Sequence, residues 1–325
     1  MTTMRAVRIH APGPIEAMRL ETVPLPEPGP GSVLVRIEAA GVNFIDIYKR
    51  NGLYSVPLPA TLGEEACGVV EKTGVGVSEF KPGDRVGWAG TLGAYAQYAV
   101  VPADRLVSVP DSVPAPLAAA SLLQGMTAHY LATDTFRLEP GHVCLITAAA
   151  GGVGTWLVQV AELRGARVLA AVGSEEKAAL VRRLGADDVI VYQDQNLVER
   201  VRELTRGRGV DVVYDGVGRA TFEAGLDCLR PRGTMVTFGN ASGPVPAIEP
   251  LLLARKGSLF LTRPVLAHYT ADREELLKRA GEVLSWVESG LVKVTIHRRY
   301  DLAEVAQAHR DLESRTTTGK LILEP

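Results

Sequence analysis

Ala148-Ala149-Ala150-Gly151-Gly152-Val153-Gly154 is the stretch on which the reading of this chain turns. An apolar run, Val143-Cys144-Leu145-Ile146, precedes it, and a helical pattern from Trp156 to Arg164 follows. A strand that ends in small residues and turns at once into a helix lets backbone N–H groups approach a pyrophosphate at the positive end of that helix. Gly151 and Gly154 hold the second and third positions of G-x-G-x-x-G, while Ala149 stands where its first glycine would be. A glycine-rich turn also closes ordinary loops, so its surroundings decide. Here a second apolar run, Arg167-Val168-Leu169-Ala170-Ala171-Val172, completes a βαβ unit of about 30 residues. The pattern predicts a dinucleotide grip, with Gly151, Gly152, Val153 and Gly154 at the phosphates.

Outward from this unit, strand and helix alternate. Apolar runs at Val189 to Tyr192, Val210 to Asp215 and Thr234 to Phe238 are separated by helical segments at Glu175 to Leu184, Asn196 to Thr205 and Thr221 to Cys228. Single helices between strands imply a parallel, doubly wound α/β sheet. Roughly the first hundred residues read instead as strands and turns: Val33 to Ala39, Gly68 to Lys72, Arg85 to Gly87 after Lys81-Pro82-Gly83-Asp84, and Tyr95 to Val101. The last sixty or so residues break the alternation, with a helix over Arg273 to Ser289, a strand over Val292 to Ile296, a helix over Leu302 to Glu313 and a short strand at Leu321 to Leu323. Periodicity leaves open whether that tail extends the α/β part or returns to the β-rich one.

A chain of 325 residues, 46% hydrophobic and 22% charged, is long enough for two domains and has the composition of an ordinary soluble protein. Its net charge of −2 offers no global attraction to nucleic acid or acidic membranes. Cys67, Cys144 and Cys228 are odd in number and widely spaced, which indicates neither a disulfide scaffold nor a cysteine zinc site. The uncharged stretches Ser112 to Thr133 and Val143 to Ala161 are broken by Pro114, Pro116, Gln124 and His129 and by the glycine turn, so both read as buried globular elements. No signal pattern opens the chain, and a cytoplasmic setting is expected.

These residues together resemble the medium-chain dehydrogenase/reductase superfamily, and within it the NADPH-dependent quinone oxidoreductases of the zeta-crystallin type. The resemblance is carried by Gly41-Val42-Asn43-Phe44-Ile45-Asp46, Arg50-Asn51-Gly52-Leu53-Tyr54, Gly63-Glu64-Glu65-Ala66, Lys81 to Val86 and Ala148 to Gly154. It continues through Val213-Tyr214-Asp215-Gly216-Val217-Gly218, Phe238-Gly239-Asn240 and Leu312-Glu313-Ser314-Arg315, in order along nearly the whole chain. It implies a GroES-like catalytic domain begun by residues 1–125 and completed by 266–325, flanking a Rossmann domain over 126–265 that binds NADPH, with the active site in the cleft. It also implies a homodimer.

In the zinc members of the superfamily, the metal is held by Cys, His and Cys at positions that correspond here to Asn43, Glu64 and Gln124. One carboxylate with two neutral amides is a poor site for zinc compared with thiolate and imidazole. The structural zinc loop would fall near Gly87 to Gly93, where no cysteine occurs. No metal is expected. Without a Lewis acid, alcohol oxidation is hard and reduction of an electron-poor acceptor is the easier task.

The resemblance places Asn43, Tyr48 and Tyr54 at the catalytic end of the site, and Phe44, Asp46, Tyr130 and Val217 beside the cofactor. Asn43 can donate from its amide or satisfy a loop carbonyl, Tyr54 can donate from a neutral phenol or simply pack, and Asp46 reads more as a helix cap than as a base. An acidic residue at the end of the second Rossmann strand would favour NAD; here that strand ends in Gly173-Ser174, with Lys177 available to a phosphate and Tyr192 able to lie against the adenosine. Arg315 matches a phosphate-proximal arginine in the resembling family. Phe238, Gly239 and Asn240 end a strand at the carboxyl edge of the sheet, where ligands of such folds bind, and Arg263-Pro264-Val265 ends another run that can offer backbone groups to the carboxamide.

The expected activity is hydride transfer from NADPH to a quinone or another electron-poor carbonyl. An NADPH-dependent enoyl or alkenal reductase needs the same cofactor geometry and remains the enzymatic alternative. An NADPH-binding protein that binds RNA or serves structurally, as crystallins do, is the alternative of another class; with only 6% aromatic residues no stacking platform stands out, and neither nucleic acid nor membrane is expected as a partner.

Overall fold

The computed structural model describes residues 2–325. In chain order it begins with β1 (Thr3–Ile9), β2 (Arg19–Pro24), β3 (Ser32–Val42), α1 (Phe44–Arg50), β4 (Ala60–Thr61), β5 (Glu65–Thr73), β6 (Arg85–Ala89), β7 (Tyr98–Pro102), β8 (Val107–Ser108), α2 (Ala115–Ala119) and α3 (Leu122–Tyr130). The alternating part follows with β9 (Val143–Ile146), α4 (Gly152–Leu163), β10 (Arg167–Val172), α5 (Glu175–Arg183), β11 (Asp188–Val191), α6 (Leu197–Leu204), β12 (Val210–Asp215), α7 (Phe222–Cys228), β13 (Leu229–Thr237), α8 (Pro250–Arg255) and β14 (Phe260–Thr262). After α9 (Leu266–Tyr269), the tail holds α10 (Arg273–Glu288), β15 (Ile296–Asp301), α11 (Val305–Glu313) and β16 (Lys320–Glu324). The chain divides into two compact units, Met1–Met126 with Tyr269–Pro325, and Thr127–His268.

In the first unit, β3 is the hub. Its β-branched inward residues Val33, Val35, Ile37 and Val42 pack with Leu62, Val86, Trp88, Leu106, Leu321 and Leu323 in one buried cluster. It pairs antiparallel with β5, β7 and β16, and the sheet order β15-β16-β3-β5-β6-β8 places the last strand of the chain against its third. The tail therefore returns to the β-rich unit, which periodicity left undecided. A separate antiparallel sheet, β2-β1-β4, was not foreseen: β1 buries Met4 and Ala6 on one face and Val7 and Ile9 on the other, and it pairs with β2 across a connection that lacks an Asn-Gly or Asp-Gly turn.

Several elements differ from their sequence-based limits: α4 and β13 begin early, at Gly152 and Leu229, and three others shift as follows. The strand expected at Val292 to Ile296 forms at Ile296–Asp301, because its ladder is set by β16, whose Lys320 faces Ile296 and whose Glu324 faces Asp301. The expected strand Tyr95 to Val101 is confined to Tyr98–Pro102; Tyr95 and Ala96 instead join β1, through Val7 N–H donating to Tyr95 O (2.8 Å) and a bridge from Ala6 to Ala96. The helix expected over Leu302 to Glu313 opens with a 3-10 turn, Leu302–Glu304, and only then becomes α11.

The second unit is a parallel six-stranded sheet of order β11-β10-β9-β12-β13-β14. Numbered within the unit this is 3-2-1-4-5-6, the Rossmann order, whose direction reverses between β9 and β12. Leu145, Leu169, Ile190, Val213 and Met235 from successive strands form its core with Phe222 and Leu226 of α7. Among the described residues no helix is long and apolar enough to cross a membrane. The uncharged stretches become α2, α3, β9 and α4.

Candidate active site

The turn after β9 is built by close backbone packing. Ala148 takes φ +47, an uncommon conformation for a residue with a side chain, and its carbonyl accepts from Gly151 N–H at 2.8 Å. Gly154 must be glycine, since a Cβ there would lie 2.7 Å from Ala149 Cα and C. This contact seats α4 on the strand end. Gly151, the N-cap of α4, supplies no side chain to the first turn, and Gly152 and Val153 are half-buried, so that turn's N–H groups face an open end of a twelve-residue helix. Such an end fits a pyrophosphate.

At the end of β10 the structure brings four of the singled-out residues together. Tyr192 N–H donates to Val172 O (3.1 Å), and its hydroxyl stands 3.0 Å from where a Gly173 Cβ would lie. Ser174 caps α5 by accepting from Lys177 N–H at 3.4 Å, and Glu175 and Glu176 occupy the exposed first turn, where their charge complements the helix dipole. Burial lowers the Lys177 ammonium, against an opposing pull from Glu176. No carboxylate ends the strand itself.

Across the reversal point, Asp215 organises the loop after β12, a role not read from the sequence. Its carboxylate accepts from Thr147 Oγ1 (2.6 Å), Val217 N–H (3.2 Å), Gly218 N–H (3.1 Å) and Thr221 Oγ1 (2.6 Å). The loops after β9 and β12 are thus locked to each other, with half-buried Val217 between them. Phe238 N–H donates to Asp215 O (2.8 Å), and Gly239 lies so close to Gly216 that a Cβ would meet its backbone. Arg263 Nη1 donates to Thr237 O (3.1 Å), and its Nη2 reaches the Asn240 amide oxygen at 3.3 Å once that amide is turned to suit its neighbours. Thr237, Asn240 and Arg263 line a cavity of about 360 Å³ whose other walls include Phe222, Val245, Ile248 and Leu261. The hydroxyl of Thr237 is buried there with no partner. Pro264 is buried and Val265 exposed. Tyr130, by contrast, is fully buried in α3.

The first unit gathers Asn43, Phe44, Tyr48 and Tyr54 around α1. Tyr48 and Tyr54 meet edge to face at 5.5 Å, Phe44 lies 6.1 Å from Tyr48, and Tyr54 N–H donates to Tyr48 O (3.0 Å). Tyr48 is buried; Tyr54 and Phe44 are half-exposed. Asp46 is the cap that the sequence suggested: its Oδ2 accepts from Asn43 N–H and from Tyr95 Oη, both at 2.8 Å. Fully buried, its side chain has no exposed atom to offer a cofactor. Burial pushes that carboxyl up to about 6, against the lowering influence of Tyr95, Asn43 N–H, Lys320 and Lys49.

Asn43 and Gln124 do meet, but their company differs from the sequence expectation. Gln124 Nε2 donates to Asn43 Oδ1 (3.2 Å), which also accepts from Lys320 Nζ (2.6 Å), while Asn43 Nδ2 donates to Glu65 Oε2 (3.0 Å). Lys320 Nζ donates in turn to Glu65 Oε2 at 2.5 Å, and Glu65 Oε1 accepts from Leu123 N–H at 2.6 Å. The pair is 1% and 0% exposed, so an ion pair stands in the interior beside Asn43. Glu64 turns away to Lys49. Neither Glu65 nor Lys320 was singled out; a lysine at the head of Leu321-Ile322-Leu323 was the one available signal. Arg315 lies beyond α11 with φ +58.

Two family models match the chain: alcohol dehydrogenase GroES-like domain over residues 29–111 and zinc-binding dehydrogenase over residues 152–280. The quinone oxidoreductase of Pseudomonas aeruginosa is 44% identical over 323 residues, covering 99% of each chain. The chain belongs to the quinone oxidoreductase family. The crystal structure of Escherichia coli quinone oxidoreductase complexed with NADPH superposes with a TM-score of 0.97 at 42% identity, over 99% of this chain and 100% of that one. Another relative of this quinone oxidoreductase family member, the 2-haloacrylate reductase of a Burkholderia species, is 41% identical over 98% of each chain.

The second family description implies zinc, and the residues do not fit it. The positions equated with the ligands supply two amides and one carboxylate, and the Asn43 oxygen is already bonded to an ammonium. A divalent cation there would meet a buried like charge. Among the described residues no group of three or more His, Cys, Asp or Glu is arranged to hold a metal ion.

Proposed function

We propose that this protein is a zinc-independent NADPH:quinone oxidoreductase. The observation that carries the reading is the buried Lys320–Glu65 pair on Asn43, which fills with an ammonium the region where a Lewis acid would be needed for alcohol chemistry. NADPH, when bound, supplies a hydride from its dihydronicotinamide. The N-terminus of α4 holds the pyrophosphate, and the Gly173-Ser174 end of β10 admits a 2′-phosphate, with Lys177 and Arg315 neutralising it and Tyr192 lying beside it. Val217, Phe238, Gly239, Asn240 and the Arg263-Pro264-Val265 segment hold the nicotinamide end. Phe44 and Tyr130 pack near the cofactor, and Asp46 serves that site only as the cap of α1. Tyr54 donates a hydrogen bond to the acceptor's oxygen, with Tyr48 setting the Tyr54 ring, and Asn43, whose amide N–H groups go to Glu65 and Gly41 O, holds that end of the site through the buried pair. The acceptor becomes a hydroquinone after one hydride and one further proton.

A second reading has a specific support. The 2-haloacrylate reductase relative shares full-length similarity, so reduction of an electron-poor C=C bond is the alternative use of the same arrangement. The deciding experiment offers purified protein NADPH with benzoquinone, a 2-haloacrylate and a simple ketone in parallel. Turnover of benzoquinone supports the proposal; turnover of the haloacrylate alone assigns the second reading; turnover of the ketone contradicts both.

The protein is proposed to act in the cytoplasm and as a homodimer. The edge of β14 carries Phe260 at 62% and Leu261 at 37% exposure, and the strand pairs only with β13 among the described residues. An exposed apolar edge of this kind is completed by a second copy.

A further inference from the structure

Two segments quoted from the sequence, Arg50 to Tyr54 and Leu312 to Arg315, have no shared role in the reading above, yet they meet in the first unit. Arg50 Nη2 donates to Glu313 Oε1 at 2.8 Å and Nη1 to Glu313 Oε2 at 3.2 Å, a fork between residues 263 apart in the chain. Arg50 Nη1 also lies 3.0 Å from His309 Nδ1. A guanidinium only donates, so Nδ1 accepts and the imidazole proton sits on Nε2. That nitrogen faces Tyr95 Oη at 3.4 Å, and Tyr95 Oη donates to Asp46 at 2.8 Å. The donors run in one direction, from Arg50 to His309 to Tyr95 to Asp46. Helix α1 is thereby held to α11 at both ends, directly at its last residue and through Tyr95 at its first turn.

The fork lies at the last residue of α11. Immediately beyond, Ser314 Oγ bonds Asp311 O (2.6 Å) and Thr316 Oγ1 (2.8 Å), Arg315 N–H donates to Leu312 O (3.3 Å), and Arg315 takes its left-handed φ of +58. A non-glycine residue in that region is strained and persists only where its surroundings impose it. Arg50 carries a second cost at the same turn: its side chain is 4% exposed and its Nε is buried with no partner. Apolar packing would join two helices without either cost.

We propose that Arg50, acting through Glu313 and His309, is a positioning residue that sets the turn presenting Arg315, and so contributes to the choice of NADPH over NADH. The inference rests on the reading of Arg315 as a 2′-phosphate contact. The test measures KM and kcat with each cofactor for wild type, Glu313→Asp, Arg50→Lys, Arg315→Ala and the double variant Glu313→Asp/Arg315→Ala. The first two substitutions keep every charge; Glu313→Asp removes only the fork and Arg50→Lys removes the fork together with the donor to His309, so they report geometry. Each is expected to raise KM for NADPH about fivefold while KM for NADH and both kcat values change less than about twofold. The double variant is expected to match Arg315→Ala alone.

If Arg315→Ala lowers the preference for NADPH and neither fork variant does, the proposal is overturned and the cofactor reading stands. If Arg315→Ala leaves the preference unchanged, the reading of Arg315 fails and the proposal with it. Equal changes with both cofactors would mark the fork as merely structural and overturn the proposal.

Discussion

Asp46 and His309 sit on either side of Tyr95 with opposite responses to acid. Burial raises Asp46 from 3.8 to about 6, so its contribution to stability is complete below the unfolded value and is lost as pH rises through 6. Burial, and then the Arg50 charge, lower His309 from 6.5 to about 3, so its contribution is complete above 6.5 and is lost as pH falls toward 3. Between about pH 4 and 6 the two slopes oppose, each approaching about 1.4 kcal/mol per pH unit. Tyr95, Arg50, Lys320 and Lys49 are the other titratable groups around them. The variant His309→Gln should therefore lose stability relative to wild type as pH rises from about 4 to about 6.5, measured as the difference between urea midpoints. Parallel profiles would contradict the assignment. Lys320→Met strands the Glu65 carboxylate and should cost about 3–5 kcal/mol in unfolding free energy, of which Lys320→Met/Glu65→Gln recovers a part. A loss below about 1 kcal/mol would show the pair to be unimportant for stability. These contacts were not legible in the sequence, because Lys320 and Glu65 are 255 residues apart and no local pattern joins them. The turn formed by Gly151 and Gly154 and the Ser174 cap were legible because each is made within a few residues of the chain.

Elements whose signal is local came through well. β9, β10 and α5 lie where the change from apolar run to glycine turn to helical pattern placed them, while α4 begins at Gly152, four residues ahead of the expected Trp156, because the glycine turn itself supplies its first turn. β15 did not, since the alternation from Val292 onward continues past Ile296 and only its partner β16 fixes where pairing starts. The β1–β2 pair was missed for want of a tight-turn signature. The N-terminus of α5 offers the sharpest test at this scale. Ser174→Asp retains a capping oxygen while adding the carboxylate that Rossmann strands use for a ribose diol. KM for NADPH should rise at least about tenfold and KM for NADH should fall, in steady-state kinetics with benzoquinone as acceptor. An unchanged ratio would place the 2′-phosphate elsewhere.

At the scale of the whole molecule, the strand order of the second unit and the return of β16 to β3 frame the chemistry. The alternation of strands and helices announced the former; the latter is a topological fact that hydrophobic period cannot encode. The free edge of β14 carries a further expectation. Phe260→Glu with Leu261→Lys should halve the mass measured by light scattering after size exclusion while thermal unfolding of the α/β unit persists; an unchanged mass would place the dimer contact on another surface. The central claim is zinc-independent hydride transfer from NADPH to a quinone, and one measurement addresses it directly. It is the initial rate of NADPH oxidation with benzoquinone by protein exhaustively treated with a metal chelator, compared with the same protein after zinc is restored and with NADH as donor. Equal rates before and after zinc, with strong selectivity for NADPH, are the predicted result. A rate that disappears on chelation and returns with zinc would contradict it.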